Sequence, residues 1–107
     1  MSEITIVETD QGKTLEAHPG DLIVIRLAET PTSGYRWEIS EVDSQLVEFQ
    51  DSDYLLAPGA GIGGGGTRVF RFRAKSTRTG QIRLKLRRSW EPDDRAIEHF
   101  TVNIQIQ

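Results

Sequence analysis

The sequence predicts an all-β fold, a sandwich of about seven to eight short antiparallel strands. Three observations predict it. Apolar and polar residues alternate with period two over most of the chain, turn-forming clusters recur about every ten residues, and no stretch carries a capped helical period.

The elements follow in order. Near the start, Ile4 and Ile6 alternate with Glu3 and Thr5. "DLIVIRLAE" is apolar on both faces, as a central sandwich strand is. "YRWEIS" sets Tyr35, Trp37 and Ile39 on one face and Arg36 and Glu38 on the other. "VEFQDSDYLLA" is less regular and reads as one broken strand or two short ones. "VFRFRAK" turns Phe70, Phe72 and Ala74 inward and Arg71, Arg73 and Lys75 outward; "QIRLKLRR" does the same with Ile82, Leu84 and Leu86 against Arg83, Lys85 and Arg87. The last run, "FTVNIQIQ", buries Phe100, Val102, Ile104 and Ile106. Between the runs lie "TDQGK", "HPGD", "TPTSG", "APGAGIGGGG", "STRTG" and "SWEPDD", all rich in turn formers. The pattern is that of an immunoglobulin-like antiparallel β-sandwich in architecture, without the Cys…Trp…Cys pattern of antibody domains.

A chain of 107 residues makes one domain, 1–107, with no internal repeat or linker. Its net charge of −3 gives no general argument for nucleic acid, whose binding is dominated by phosphate neutralisation. The absence of Cys removes thiolate catalysis and Cys-ligated metals and leans toward a reducing compartment or a core that needs no staple. "MSEITIVETD" lacks the basic start and apolar stretch of a signal peptide, and no apolar run approaches the ~20 residues of a membrane span. The expectation is a cytoplasmic monomer with no membrane partner.

Candidate chemistry is sparse. His18 and His99 have no second His or Cys at ligand spacing, and Glu91, Asp93 and Asp94 lack the spacing of a calcium loop, so no metal or other cofactor is expected. No motif brings a nucleophile, base and orienting acid together. The six glycines between 59 and 66 feed a strand rather than a helix and lack the Gly-Lys-Ser/Thr ending of a phosphate loop. Ordering that loop costs conformational entropy, but its bare backbone can lie close against a partner. The outward Arg71, Arg73, Arg83, Lys85 and Arg87 form a basic stripe without the surface aromatics that stack nucleic-acid bases. Trp90, in a loop beside Arg88, Glu91 and Pro92, reads equally as an exposed anchor or as a lid folded over the core.

With strands lettered A to G, "TPTSG" joins B to C, the glycine loop joins D to E and "RRSWEP" joins F to G. In such a sandwich these three connections share one end. They also carry a resemblance. Thr30-Pro31-Thr32-Ser33-Gly34-Tyr35, with Trp37 two residues on, then Gly61-Ile62-Gly63-Gly64, then Arg88-Ser89-Trp90, resemble in order the Asn-Pro-Thr-Thr-Gly-Tyr/Phe, Gly-x-Gly-Gly and Arg-Pro-Trp/Phe motifs of chagasin-type inhibitors of papain-like cysteine proteases. Thr30 stands for Asn, Ser33 for Thr and Ser89 for Pro, and the glycine loop is longer. The resemblance implies a reversible competitive inhibitor, not an enzyme. Its partner would be a papain-family cysteine protease. The three loops would enter the active-site cleft uncleaved, with Thr32 over the catalytic pair and the glycine tongue and Trp90 bracing either side. The alternative is an immunoglobulin-like interaction module that binds a non-protease partner.

Overall fold

The computed structural model describes residues 2–30, 33–56, 65–92 and 95–107. Its strands are β1 (Glu3–Ile6), β2 (Thr14–Ala17), β3 (Leu22–Glu29), β4 (Tyr35–Val42), β5 (Val47–Leu56), β6 (Gly66–Ala74), β7 (Arg78–Arg88) and β8 (Glu98–Ile106). They form two four-stranded sheets, ordered β1-β3-β6-β5 and β2-β8-β7-β4. The long pairs are antiparallel, as the alternation predicts. Each sheet also has a short parallel edge, β1 on β3 and β2 on β8. The parallel pairs arise because the chain crosses from one sheet to the other through Val7–Lys13, where a 3₁₀ turn spans Glu8–Asp10. Gln11 fastens that crossover to β8: its side chain donates to the His99 carbonyl and accepts the Thr101 N–H.

The core is the set that alternation placed inward. Ile23, Ile25 and Leu27 of β3, Phe70, Phe72 and Ala74 of β6, Ile82 and Leu84 of β7, and Phe100, Val102, Ile104 and Ile106 of β8 are all buried in one cluster. Leu86 packs against it half-buried. Val24 and Val69 are also buried, although their alternation places them on the opposite face of the same sheet. The irregular run "VEFQDSDYLLA" is a single strand, β5, with a bulge between Phe49 and Asp51. Phe49 meets Phe72 edge to face, ring centroids 5.7 Å apart.

The basic stripe is matched by acids on neighbouring strands. Arg71 pairs with Asp51, Arg83 with Glu41, and Arg87 and Lys85 with Glu38, while Arg73 donates to the Gly20 carbonyl. These cross-strand pairs hold the sheets in register rather than leaving a cationic face free.

Candidate functional site

Strand register brings three connections to one end. Glu29, the last residue of β3, lies opposite Gly66, which also lies opposite Leu56 at the end of β5. In the other sheet Tyr35, the first residue of β4, lies opposite Arg88 at the end of β7. The β3–β4, β5–β6 and β7–β8 connections therefore leave the sandwich together. Two close approaches join them, one at the end of each sheet: a Cβ on Gly65 would sit 3.6 Å from the Thr30 hydroxyl, where β3 ends and β6 begins, and Trp90 lies directly against Gly34, where β4 and β7 meet.

The first turn is pinned by a serine. Ser33 Oγ donates to the Thr30 carbonyl at 2.6 Å and accepts the Tyr35 N–H at 3.2 Å, and Ser33 N–H also donates to Thr30 O. Short hydroxyl side chains suit this because they can satisfy the backbone of their own turn. Gly34 then adopts φ +81, the left-handed region that costs a side-chain-bearing residue about 1–2 kcal/mol. Glycine is needed there twice over, since a Cβ would stand 2.6 Å from Trp90 Cη2.

Trp90 is 70% exposed, so it is an exposed ring and not a lid over the core. Its loop is held from below. The Arg88 guanidinium lies 4.4 Å above the Tyr35 ring and 5.9 Å from the Trp90 ring, and pairs with Glu91 at 3.1 Å. Arg87 donates to the Glu91 carbonyl, and Glu91 N–H closes the turn onto Arg88 O. Arg88 Nε is buried with no hydrogen-bond partner. The guanidinium is thus held by the Glu91 pair together with flat stacking on Tyr35, and a lysine cannot reproduce that stacking.

Under the turn lies a buried ion pair. The Glu29 carboxylate, 1% exposed, accepts from Arg68 Nη2 at 2.7 Å, from Arg68 Nε and from the Trp37 N–H at 2.7 Å. Tyr54 Oη donates to the Glu29 carbonyl, and the Trp37 indole donates to the Ala28 carbonyl. These bonds tie β3, β4, β5 and β6 together one residue below the turn. Beside it opens a cleft of about 400 Å³ lined by Glu29, Gly34, Arg36, Tyr54, Arg68, Ser89 and Trp90.

Of the residues singled out in the sequence, Thr30, Ser33, Gly34, Tyr35, Arg88, Ser89 and Trp90 meet at this end. Pro31, Thr32, Gly61, Ile62, Gly63 and Gly64 lie outside the described residues, as do Asp93 and Asp94. The supporting pair Glu29 and Arg68 was not anticipated, though the signal was present. Glu29 shares the parity of Ile23, Ile25 and Leu27, and Arg68 that of Phe70, Phe72 and Ala74. A carboxylate and a guanidinium on two inward-facing sets call for each other.

A family model described as "Chagasin family peptidase inhibitor I42" matches residues 16–104. Chagasin of Trypanosoma cruzi is 26% identical over 104 residues, 94% of each chain. The crystal structure of a cysteine protease inhibitor from Entamoeba histolytica superposes with a TM-score of 0.89 at 24% identity, covering 100% of this chain and 97% of that one. The fold is also shared, at 11% identity and a TM-score of 0.71 over the full length of both chains, with PbICP-C, whose structure was determined in complex with falcipain-2. The chain belongs to the chagasin family of peptidase inhibitors.

Proposed function

We propose that this protein inhibits papain-like cysteine proteases reversibly and competitively, by filling the active-site cleft with the end of the sandwich at which the three connections meet. The observation that carries the proposal is the packing of exposed Trp90 on Gly34, which joins the first and third connections into one projecting ridge. Thr30 against Gly65 sets the second connection beside it. Membership of an inhibitor family and the falcipain-2 complex of a structural relative support a papain-family protease as partner.

The chemistry of the ridge suits occlusion. Around Gly34 and Trp90 the described residues offer the hydroxyls of Thr30, Ser33 and Ser89, with Ser33 already engaged in its own turn, the paired Arg88 and Glu91, and Arg36. The nearest buried acid, Glu29, is saturated by Arg68 and the Trp37 N–H. Affinity then comes from shape, from an aromatic anchor and from a turn fixed before binding, which lowers the entropy lost on docking. Pro31 contributes to that stiffness through its fixed φ. The family resemblance would set Thr32 over the catalytic pair, with Gly61-Ile62-Gly63-Gly64 and Trp90 bracing either side, and Arg88 stacks beside Trp90. Titration of papain with the purified protein tests this reading: activity falls at micromolar inhibitor and is restored by excess substrate. Full activity at those concentrations would overturn it.

A further inference from the structure

The inhibitory end holds four arginines, and three have obvious structural duties. Arg68 pairs with Glu29, Arg87 with Glu38 and Arg88 with Glu91. The fourth, Arg36, is exposed and has no carboxylate within ion-pair distance among the described residues. Its position is unfavourable for folding: in the β4–β7 register Arg36 lies directly opposite Arg87. Like charges facing each other across a strand pair are destabilising. The acid two residues along the same face, Glu38, is taken up by Arg87 and Lys85.

Arg36 is also well placed to meet a partner. It lines the cleft of about 400 Å³ together with Gly34, Ser89 and Trp90, and a neighbouring depression of about 270 Å³ together with Glu38, Arg87 and Ser89. Anything that seats on Trp90 and Gly34 covers this cleft. Among the described residues, the one acid lining the larger cleft, Glu29, is already paired with Arg68. The cleft therefore presents a cation beside an aromatic wall.

We propose that Arg36 is a specificity-determining residue of the inhibitory end. It receives the carboxylate of an aspartate or glutamate on the rim of the bound protease's cleft. The inference rests on the protease-inhibitor reading above. Such a pair forms at the edge of the interface, where Trp90 shields it from water on one side, so it acts on the choice of protease and on the association rate.

Arg36→Ala and Arg36→Glu test it, each titrated against papain and cathepsin L side by side with the unmodified protein. Glutamate opposite Arg87 makes a favourable cross-strand pair, so Arg36→Glu melts no lower than the unmodified protein. For the more affected protease, Arg36→Glu weakens inhibition about tenfold, chiefly through slower association, and Arg36→Ala about threefold. The papain-to-cathepsin L preference shifts accordingly, and the difference shrinks in about 0.5 M salt as the charges are screened. If the unmodified protein inhibits both proteases and Arg36→Glu inhibits both equally well, this inference falls and the inhibitory function stands. A loss of inhibition matched by a lowered melting temperature also overturns it, because Arg36 would then act on the fold. If the unmodified protein inhibits neither protease, both readings fall together.

Discussion

Replacing Gly34 with alanine probes the contact on which the ridge depends. Two effects can be separated from the structure. Alanine at φ +81 carries the left-handed backbone cost of about 1–2 kcal/mol. Its Cβ would also stand 2.6 Å from Trp90 Cη2 and 3.3 Å from Cζ2. Carbon atoms rest at about 3.5–4 Å, so the ring must move by about 1 Å. Because Trp90 is 70% exposed, the ring can swing into solvent and the clash adds little to the cost of folding. The expected stability loss is therefore the backbone cost alone, a lowering of the melting temperature by about 4–8 °C per kcal/mol in a domain of this size.

Inhibition should fall much further than stability. At a loss of about 1–2 kcal/mol the protein remains overwhelmingly folded, yet the anchor is displaced from the turn it braces, and anchors of this type carry about 2 kcal/mol or more of binding. A double-mutant cycle isolates the contact. In a Trp90→Ala background the added methyl group meets no indole, so Gly34→Ala weakens inhibition little further. The assays are urea denaturation and papain titration of the single and double variants. Additivity of the two inhibition losses to within about 0.5 kcal/mol, or an unaltered inhibition constant in Gly34→Ala, would refute the coupling.

Further outcomes follow from the same geometry. Trp90→Ala removes a ring with under a third of its surface covered, so urea denaturation shows a loss of at most about 2 kcal/mol, while inhibition weakens at least tenfold; a loss of about 3–5 kcal/mol would mark Trp90 as a core residue. Arg68→Ala strands the Glu29 carboxylate among buried groups and costs about 3–5 kcal/mol in the same assay, whereas replacing both partners with methionine costs less than Arg68→Ala alone. Asp21 accepts the Ser2 and His18 backbone N–H groups, which hold its carboxyl below the ordinary carboxylate value. That contribution is present above the unfolded-state value of about 4 and is lost as pH falls through the lower folded-state value, so Asp21→Asn flattens the acid limb of stability against pH. Parallel acid limbs for the two proteins would count against it.

The fold was legible where a single rule governs. Period-two alternation placed Ile23, Ile25, Leu27, Phe70, Phe72, Ile82, Leu84 and the β8 set inward because each sheet buries one face. The parallel edges were not legible. Strands of four residues give too little pattern to report direction, and their pairing follows from where the Val7–Lys13 crossover sends the chain. The bulge in β5 was visible only as an irregular run, since alternation breaks at Gln50 without saying whether the strand stops or slips.

At the functional end the sequence named the turn, the arginine and the tryptophan, but it could not join them. No spacing rule connects Gly34 to Trp90; they meet because β4 begins where β7 ends, and that register is set by the core. The support beneath them was legible by parity alone. Glu29 and Arg68 each occupy the next inward position of an otherwise apolar set, and a charged group placed there is tolerable only when a counter-charge arrives on the neighbouring strand. Arg36 obeys the opposite logic. It alternates to the outer face, where an arginine is unremarkable, and only the register shows it facing Arg87, which with Lys85 takes up the neighbouring Glu38. A residue that satisfies the sequence pattern but faces a like charge gains little from its place in the free protein. The reason is to be sought in what covers the cleft.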